Sequence, residues 1–212
     1  MTLSERYAGI IAWFQENRPI AVTELHYDDP YQLMVAVILS GQCTDKRVNL
    51  ITPAFFKKFP TIHDLASAPV EDVFNLIRSC SYPNNKTKHL IAAAIKVCRE
   101  FNGNIPDTLE NLEQIPGIGR KTANVILSVA FGKPALAVDT HVHRVSDRLG
   151  LTTKARSPLE TEKQLVSHIP EELHAIAHHW LILHGRYICQ ARKPKCDECG
   201  LKEWCRYYQN QP

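Results

Sequence analysis

Long apolar runs are missing from this 212-residue chain. Even the apolar run through Met34–Leu39 falls far short of the roughly 20 residues a helix needs to cross a bilayer. Met1–Arg18 has no basic stretch followed by an apolar one, so it does not read as a secretory signal. A cytoplasmic protein with no membrane partner is therefore expected. Strand-like alternation is scarce, and Ala135–Val138 is too short to seed a sheet. Internal repeats, low-complexity tracts and disordered linkers are lacking too. Charge of one sign is barely in excess: 25 basic against 22 acidic side chains leave +3, which neither requires nor excludes a nucleic-acid partner. With 44% hydrophobic and 22% charged residues, the composition excludes a disordered chain, collagen or a coiled-coil rod.

What is present reads as helix after helix. Tyr7, Ile10, Ile11 and Phe14 repeat at helical spacing. Asp29-Pro30 reads as an N-cap with proline at the first helical position, opening an apolar helix to Ser40 that should be buried. Thr44 and Thr61 are candidate caps for helices to Phe59 and Ala68, and a further helix fits Glu71–Ser79. Lys86–Phe101, Leu109–Gln114, Arg120–Phe131 and Thr140–Leu149 follow, the last two closed by Gly132 and Gly150. Ser157-Pro158-Leu159-Glu160 fits a capping box, and Glu171–Leu183 follows Pro170. The fold class is all-α.

Four of the seven cysteines fall within 17 residues, spaced Cys189-x6-Cys196-x2-Cys199-x5-Cys205. Such crowding in a reducing compartment points to a metal site rather than disulfides. Four thiolates hold either zinc or an iron–sulfur core. Zinc ribbons bring two tight knuckles, whereas only Cys196 and Cys199 are so spaced here; the wide outer gaps suit a bulkier core. Arg192, Lys193 and Lys195 lie between the first two cysteines, where a closed loop would array cations for phosphates or simply be a solvated basic surface. Cys43, Cys80 and Cys98 have no matched spacing and read as small buried fillers. His178, His179 and His184 share no helix face at ligand spacing, and no H-E-x-x-H occurs, so they read as structural.

Ile115-Pro116-Gly117-Ile118-Gly119-Arg120-Lys121-Thr122 lies between two helices. Gly117 and Gly119 let the backbone turn tightly and approach a ligand. The following helix start offers free N–H groups to an anion such as DNA phosphate. With no upstream strand and the wrong glycine spacing it is not a P-loop, and a plain interhelical turn is the other reading.

This hairpin, followed by Val138-Asp139-Thr140-His141, by His178-His179-Trp180-Leu181-Ile182-Leu183-His184-Gly185-Arg186 and then by the four cysteines, resembles the endonuclease III family of helix-hairpin-helix DNA glycosylases along the whole chain to Cys205. The resemblance implies a bifunctional glycosylase and abasic-site lyase acting on oxidised pyrimidines in damaged duplex DNA. It implies one [4Fe–4S] cluster held by Cys189, Cys196, Cys199 and Cys205, and so favours iron over zinc. Lys121 matches the family's nucleophile and Asp139 its essential carboxylate. Physics suits both. An attacking amine must be unprotonated, and the first turn of a helix disfavours ammonium. A carboxylate can activate the lysine or stabilise positive charge developing on the sugar. Without the resemblance, Lys121 would read as a phosphate ligand and Asp139 as an N-cap.

The resemblance also assigns the loops that extract the base. Gln42, in Ser40-Gly41-Gln42-Cys43-Thr44-Asp45, matches the plug that fills the vacated position. Cys80-Ser81-Tyr82-Pro83-Asn84-Asn85-Lys86 matches the wedge loop, with Tyr82 in place of the usual aliphatic residue. Gly117, Gly119, Arg120 and Lys193 are the expected DNA-backbone contacts. The adenine-glycosylase branch is disfavoured because Lys121 is present and Pro30–Thr44 holds no acidic residue. By resemblance, residues 23–133 form a six-helix barrel, and residues 1–22 with 134–212 form a discontinuous cluster-bearing domain. A monomer acting at the bacterial nucleoid is implied. The +3 is uneven: residues 31–100 carry 9 basic and 5 acidic side chains, residues 186–212 carry 6 and 3, and residues 1–30 carry 2 and 5.

Overall fold

The structure, a computed structural model, describes residues 1–210. All regular structure among them is helical. No helix among them is long and apolar enough to cross a membrane. The chain divides into two compact units, Met1–Thr23 with Pro134–Pro212, and Glu24–Lys133.

α1 (Leu3–Asn17) belongs to the discontinuous unit and begins in a capping box between Thr2 and Glu5. The inserted unit follows with α2 (Pro30–Ser40), α3 (Asp45–Lys58), α4 (Ile62–Ala66), α5 (Val70–Ile77), α6 (Pro83–Glu100), α7 (Leu109–Glu113) and α8 (Arg120–Phe131). Where six helices are expected, seven helical segments occur among the described residues. Thr61 and Thr108 each cap a five-residue helix by accepting from the backbone three positions on. Asp29 caps α2 by accepting from the Gln32 N–H at 2.8 Å. Every residue from Leu33 to Leu39 is buried. Because burying a side chain of that size contributes roughly 1.5–3 kcal/mol, α2 is the centre of this unit, and it packs on α3, α6 and α8. Phe55, Leu65, Ile77, Leu90, Leu112 and Ile126 complete the core.

The discontinuous unit continues with α9 (Thr140–Leu149), α10 (Pro158–Val166), α11 (His174–Tyr187) and α12 (Arg206–Gln209). The extended Leu136–Val138 is buried but forms no strand. Tyr7, Ile10 and Phe14 of α1 enter a core with Val142, Val145, Leu149, Leu165 and Trp180. Phe14 stacks on Trp180 at 5.4 Å between ring centroids. The Tyr7 hydroxyl donates to the Leu151 carbonyl at 2.8 Å, and the Trp180 ring N–H donates to the Arg18 carbonyl at 2.7 Å.

Three local expectations need correction. α6 starts at Pro83 rather than Lys86, because Tyr82 turns into the left-handed region (φ 55°) and presents proline at the first helical position. The capping box of α10 is only half formed. Ser157 accepts from the Glu160 N–H, but the Glu160 carboxylate reaches Arg156 N at 2.7 Å. The segment after Pro170 begins as a 3₁₀ turn, Glu171–Leu173, before α11.

Candidate functional site

The hairpin is built from α7, a tight turn and α8. The Ile118 N–H donates to the Ile115 carbonyl at 3.0 Å, and Gly117 takes φ +83°. A Cβ at Gly117 would also lie 2.8 Å from His89 Cβ, so the position needs glycine twice over. Gly119 differs: its φ is −96°, and a Cβ there would meet nothing within 4 Å. Neither backbone nor neighbours demand glycine; what the missing side chain leaves is open access to the first amides of α8. Gly119 has no side chain to cap those amides and no acid sits in the first turn, so the N-cap and the first turn bring no negative charge to the positive helix end. Arg120 and Lys121 occupy that turn, both half-buried.

The two loops expected to probe DNA come together within the inserted unit. Gln42 and Tyr82, neither a glycine, both adopt left-handed backbone at φ 55°, a conformation that costs energy and occurs at functional loops. The Ser81 hydroxyl donates to the Gln42 carbonyl at 2.6 Å. Buried Lys86 donates from Nζ to the Leu39 carbonyl at 2.7 Å, tying α6 to the last turn of α2. Burial holds the Lys86 ammonium below its usual range, while the neighbouring Cys80 and Cys43 act in the opposite direction. Tyr82 is 62% exposed, so it stands out of the core with its ring available.

Asp139 caps α9. Its Oδ1 accepts from the Val142 N–H at 2.8 Å, and the carboxylate is only half-buried. Farther along α9, Arg144 and Arg148 hold the chain that enters the cysteine loop. Arg144 donates to the carbonyls of Gly185 (2.9 Å) and Cys189 (3.1 Å). Arg148 donates to those of Gln190 (2.7 Å) and Ala191 (2.8 Å), with Cys189 Sγ at 3.6 Å. Sequence reasoning missed both arginines; their i, i+4 spacing on α9 was the available signal. Arg144 also packs against Gly185, where a Cβ would lie 2.9 Å from His141 Cβ. His178 Nδ1 bonds the Ala137 carbonyl at 2.8 Å and His179 Nδ1 that of Ala175 at 2.9 Å, whereas His184 Nε2 lies 3.6 Å from Cys199 Sγ.

All four cysteines of the loop line one pocket, together with Leu149, His184 and Ile188. Four thiols lining a single pocket supply the ligand set that an iron–sulfur core takes. Burial pushes the Cys199 and Cys205 thiols up, and backbone N–H groups of Leu201, Tyr207 and Tyr208 pull them back. A cationic core would complete that compensation. Lys193 is exposed in the same loop.

Residues 35–171 match the family model of the HhH-GPD superfamily base excision DNA repair proteins. Residues 189–205 match the iron-sulfur binding domain of endonuclease III. Endonuclease III of Rickettsia felis is 45% identical over 199 residues, covering 94% of this chain and 92% of that protein. Endonuclease III of Escherichia coli K12 is 39% identical over 198 residues, with 93% of each covered. The solved structure of a trapped endonuclease III–DNA covalent intermediate, an estranged-adenine complex, superposes with a TM-score of 0.94 at 41% identity. It covers 99% of this chain and 98% of that one. Spanning nearly the whole of these relatives and carrying the hairpin, Asp139 and the four-cysteine loop in their order, the chain belongs to the endonuclease III family of the HhH-GPD superfamily.

Proposed function

We propose that this chain excises oxidised pyrimidines from duplex DNA and then cleaves the strand at the resulting abasic site, through a Schiff base on Lys121. The chain is a base-excision DNA glycosylase and lyase of its family, and it carries that family's [4Fe–4S] cluster. The reading of its residues is carried by one observation. A relative that is 41% identical over nearly the whole chain forms a covalent intermediate with DNA, which requires a nucleophile, and Lys121 stands half-buried in the first turn of the hairpin helix.

Phosphates approach the open amides at Gly117 and Gly119, with Arg120 and Lys193 as further contacts. The damaged nucleotide flips out; Gln42 fills its position and the Tyr82 ring stacks on the opposite strand. Lys121 Nζ attacks the sugar C1′ and the base departs. Asp139 accepts the lysine proton or stabilises the charge developing on the sugar. The C1′–O4′ bond then breaks, O4′ taking a proton, to give the protonated imine; the imine acidifies C2′–H, and loss of that proton expels the 3′ phosphate. The cluster, held by Cys189, Cys196, Cys199 and Cys205, supplies a cross-link that fixes the C-terminal loop. The enzyme works as a monomer on chromosomal DNA in a bacterial cytoplasm, its inserted unit serving as the hairpin-bearing barrel and its discontinuous unit as the cluster domain.

Borohydride should trap wild-type protein covalently on abasic duplex, and Lys121→Ala should remove the trapped species. Trapping that persists in Lys121→Ala overturns the assignment. Duplexes each bearing one lesion, scored with and without alkali, separate base excision from strand cleavage.

A further inference from the structure

Two loops of the inserted unit are joined at their tips. Ser81 Oγ donates to the Gln42 carbonyl at 2.6 Å, across 39 positions of sequence. The accepting carbonyl belongs to one tip, and the donor directly precedes Tyr82, the other. Both tips are exposed and both hold left-handed backbone. Tyr82 is under a second constraint. It precedes Pro83, and proline pushes its predecessor toward extended backbone, yet Tyr82 sits at φ 55°, ψ 49° with no side-chain cap on the helix it opens. A residue persists in such a conformation only where the surrounding bonds over-determine it. After the tip, the Tyr82 carbonyl accepts from Lys86 N at 3.1 Å; before it, Cys80 N donates to the Ile77 carbonyl at 2.8 Å. Ser81 supplies the bond that leaves the segment for the other loop. The roots of the loops are tied separately, where buried Lys86 donates from Nζ to the Leu39 carbonyl at 2.7 Å.

We propose that Ser81 is a positioning residue for base extrusion: its hydroxyl clasps the Gln42 loop to the Tyr82 loop, so that plug and wedge meet damaged DNA as one preset unit. This rests on the reading of Gln42 as the plug and Tyr82 as the wedge.

The bond is exposed, so water can satisfy both groups when it opens, and the fold gains little from it. Its effect lies in orientation. The Gln42 carbonyl turns with ψ of Gln42, so holding that oxygen holds the turn from which the Gln42 side chain departs. Holding Ser81 likewise fixes the residue that delivers Tyr82. Two segments that would each be ordered on DNA are instead ordered once, in the free protein. A preset pair loses less freedom on binding, and the saving appears as affinity. Undamaged duplex keeps its stack closed and is held through its phosphates, so it gains nothing from the clasp. Ser81 therefore contributes to discrimination between damaged and undamaged DNA without touching a base.

The test titrates cluster-loaded protein with two duplexes, one undamaged and one carrying an uncleavable abasic analogue. Ser81→Ala should bind the abasic duplex about fivefold more weakly, the factor that one hydrogen bond of ordinary net strength provides. Its affinity for undamaged duplex and its Tm should match wild type. Ser81→Thr keeps the hydroxyl and should bind the abasic duplex as wild type does. Adding Ser81→Ala to a Gln42→Ala, Tyr82→Ala protein should weaken binding no further, because the side chains being positioned are gone. Unchanged abasic affinity in Ser81→Ala, an equal loss on both duplexes, a loss accompanied by a lowered Tm, no rescue by Ser81→Thr, or an additive loss in the combined variant would each overturn the proposal. The Gln42→Ala, Tyr82→Ala protein also tests the underlying reading. If it binds the abasic duplex like wild type, the plug and wedge assignments fail; if it weakens and Ser81→Ala does not, only the clasp fails.

Discussion

Substitution can separate the observed task of Asp139, capping α9, from the catalytic task proposed for it. Asp139 caps α9 by accepting from Val142 N at 2.8 Å, and it is the carboxylate assigned to the reaction. Asn caps as well as Asp, so Asp139→Asn keeps the hydrogen bond and removes only the charge. No other acid lies in the first turn of α9, so the lost dipole interaction costs about 0.3–1 kcal/mol. Asp139→Ala loses the cap too, about 1–2 kcal/mol in all. For a domain of this size each kcal/mol shifts Tm by about 2–4 °C, so the Asn variant should melt within about 4 °C of wild type and the Ala variant lower. Both should lose turnover alike, by about 100-fold or more. The assays are thermal unfolding by circular dichroism at one fixed scan rate and single-turnover release of a damaged base. If Asp139→Asn turns over at the wild-type rate, the carboxylate is a cap alone and the chemical role is refuted.

Tyr82→Ala should leave Tm unchanged, since the ring is 62% exposed, yet weaken abasic-duplex binding by about 1–3 kcal/mol; unchanged affinity refutes the wedge. Lys193→Gln should weaken binding to all duplexes alike and lower the slope of log K against log salt by about 0.9; an unaltered slope removes Lys193 from the phosphate contacts. Burial keeps the His179 imidazole below its usual range, with Arg186 acting the same way against the Ala175 hydrogen bond. The unfolded imidazole takes up its proton near pH ~6.5 while the folded one resists, so the stability present above that pH is lost as pH falls through the depressed folded value. Apparent Tm should therefore drop between about pH 7 and pH 5.5, and less so in His179→Gln; equal drops in both proteins refute this.

Local chemistry was readable wherever it is written within a few residues. α8 and α9 run as their caps announce, because Gly132 and Gly150 take left-handed φ at the ends and Asp139 accepts its N-cap bond. The cysteine loop was legible for the same reason, its spacing being confined to one segment. The start of α6 was not, since Tyr82 enters the helix through a left-handed φ with no side-chain cap to mark it. Contacts across long sequence separations left no local trace. Arg144 and Arg148 reach carbonyls more than 40 residues away, and the Ser81–Gln42 bond joins loops 39 positions apart. The partnership of α1 with the C-terminal helices came from resemblance alone, because its bonds join residues such as Tyr7 and Leu151.

That partnership bears on how the chain is made. Tyr7, Ile10 and Phe14 leave the ribosome early, but the residues that bury them begin at Leu136 and extend past Trp180. At about 5–20 residues per second, the apolar face of α1 waits roughly 8 to 33 seconds before Trp180 is made. Meanwhile Glu24–Lys133, continuous in sequence and with its own core, is synthesised whole and is free to fold first. Nascent α1 is thus the segment most in need of a chaperone. Lengthening the interval by slowing translation between Lys133 and Trp180 would raise the aggregated fraction without altering any native contact.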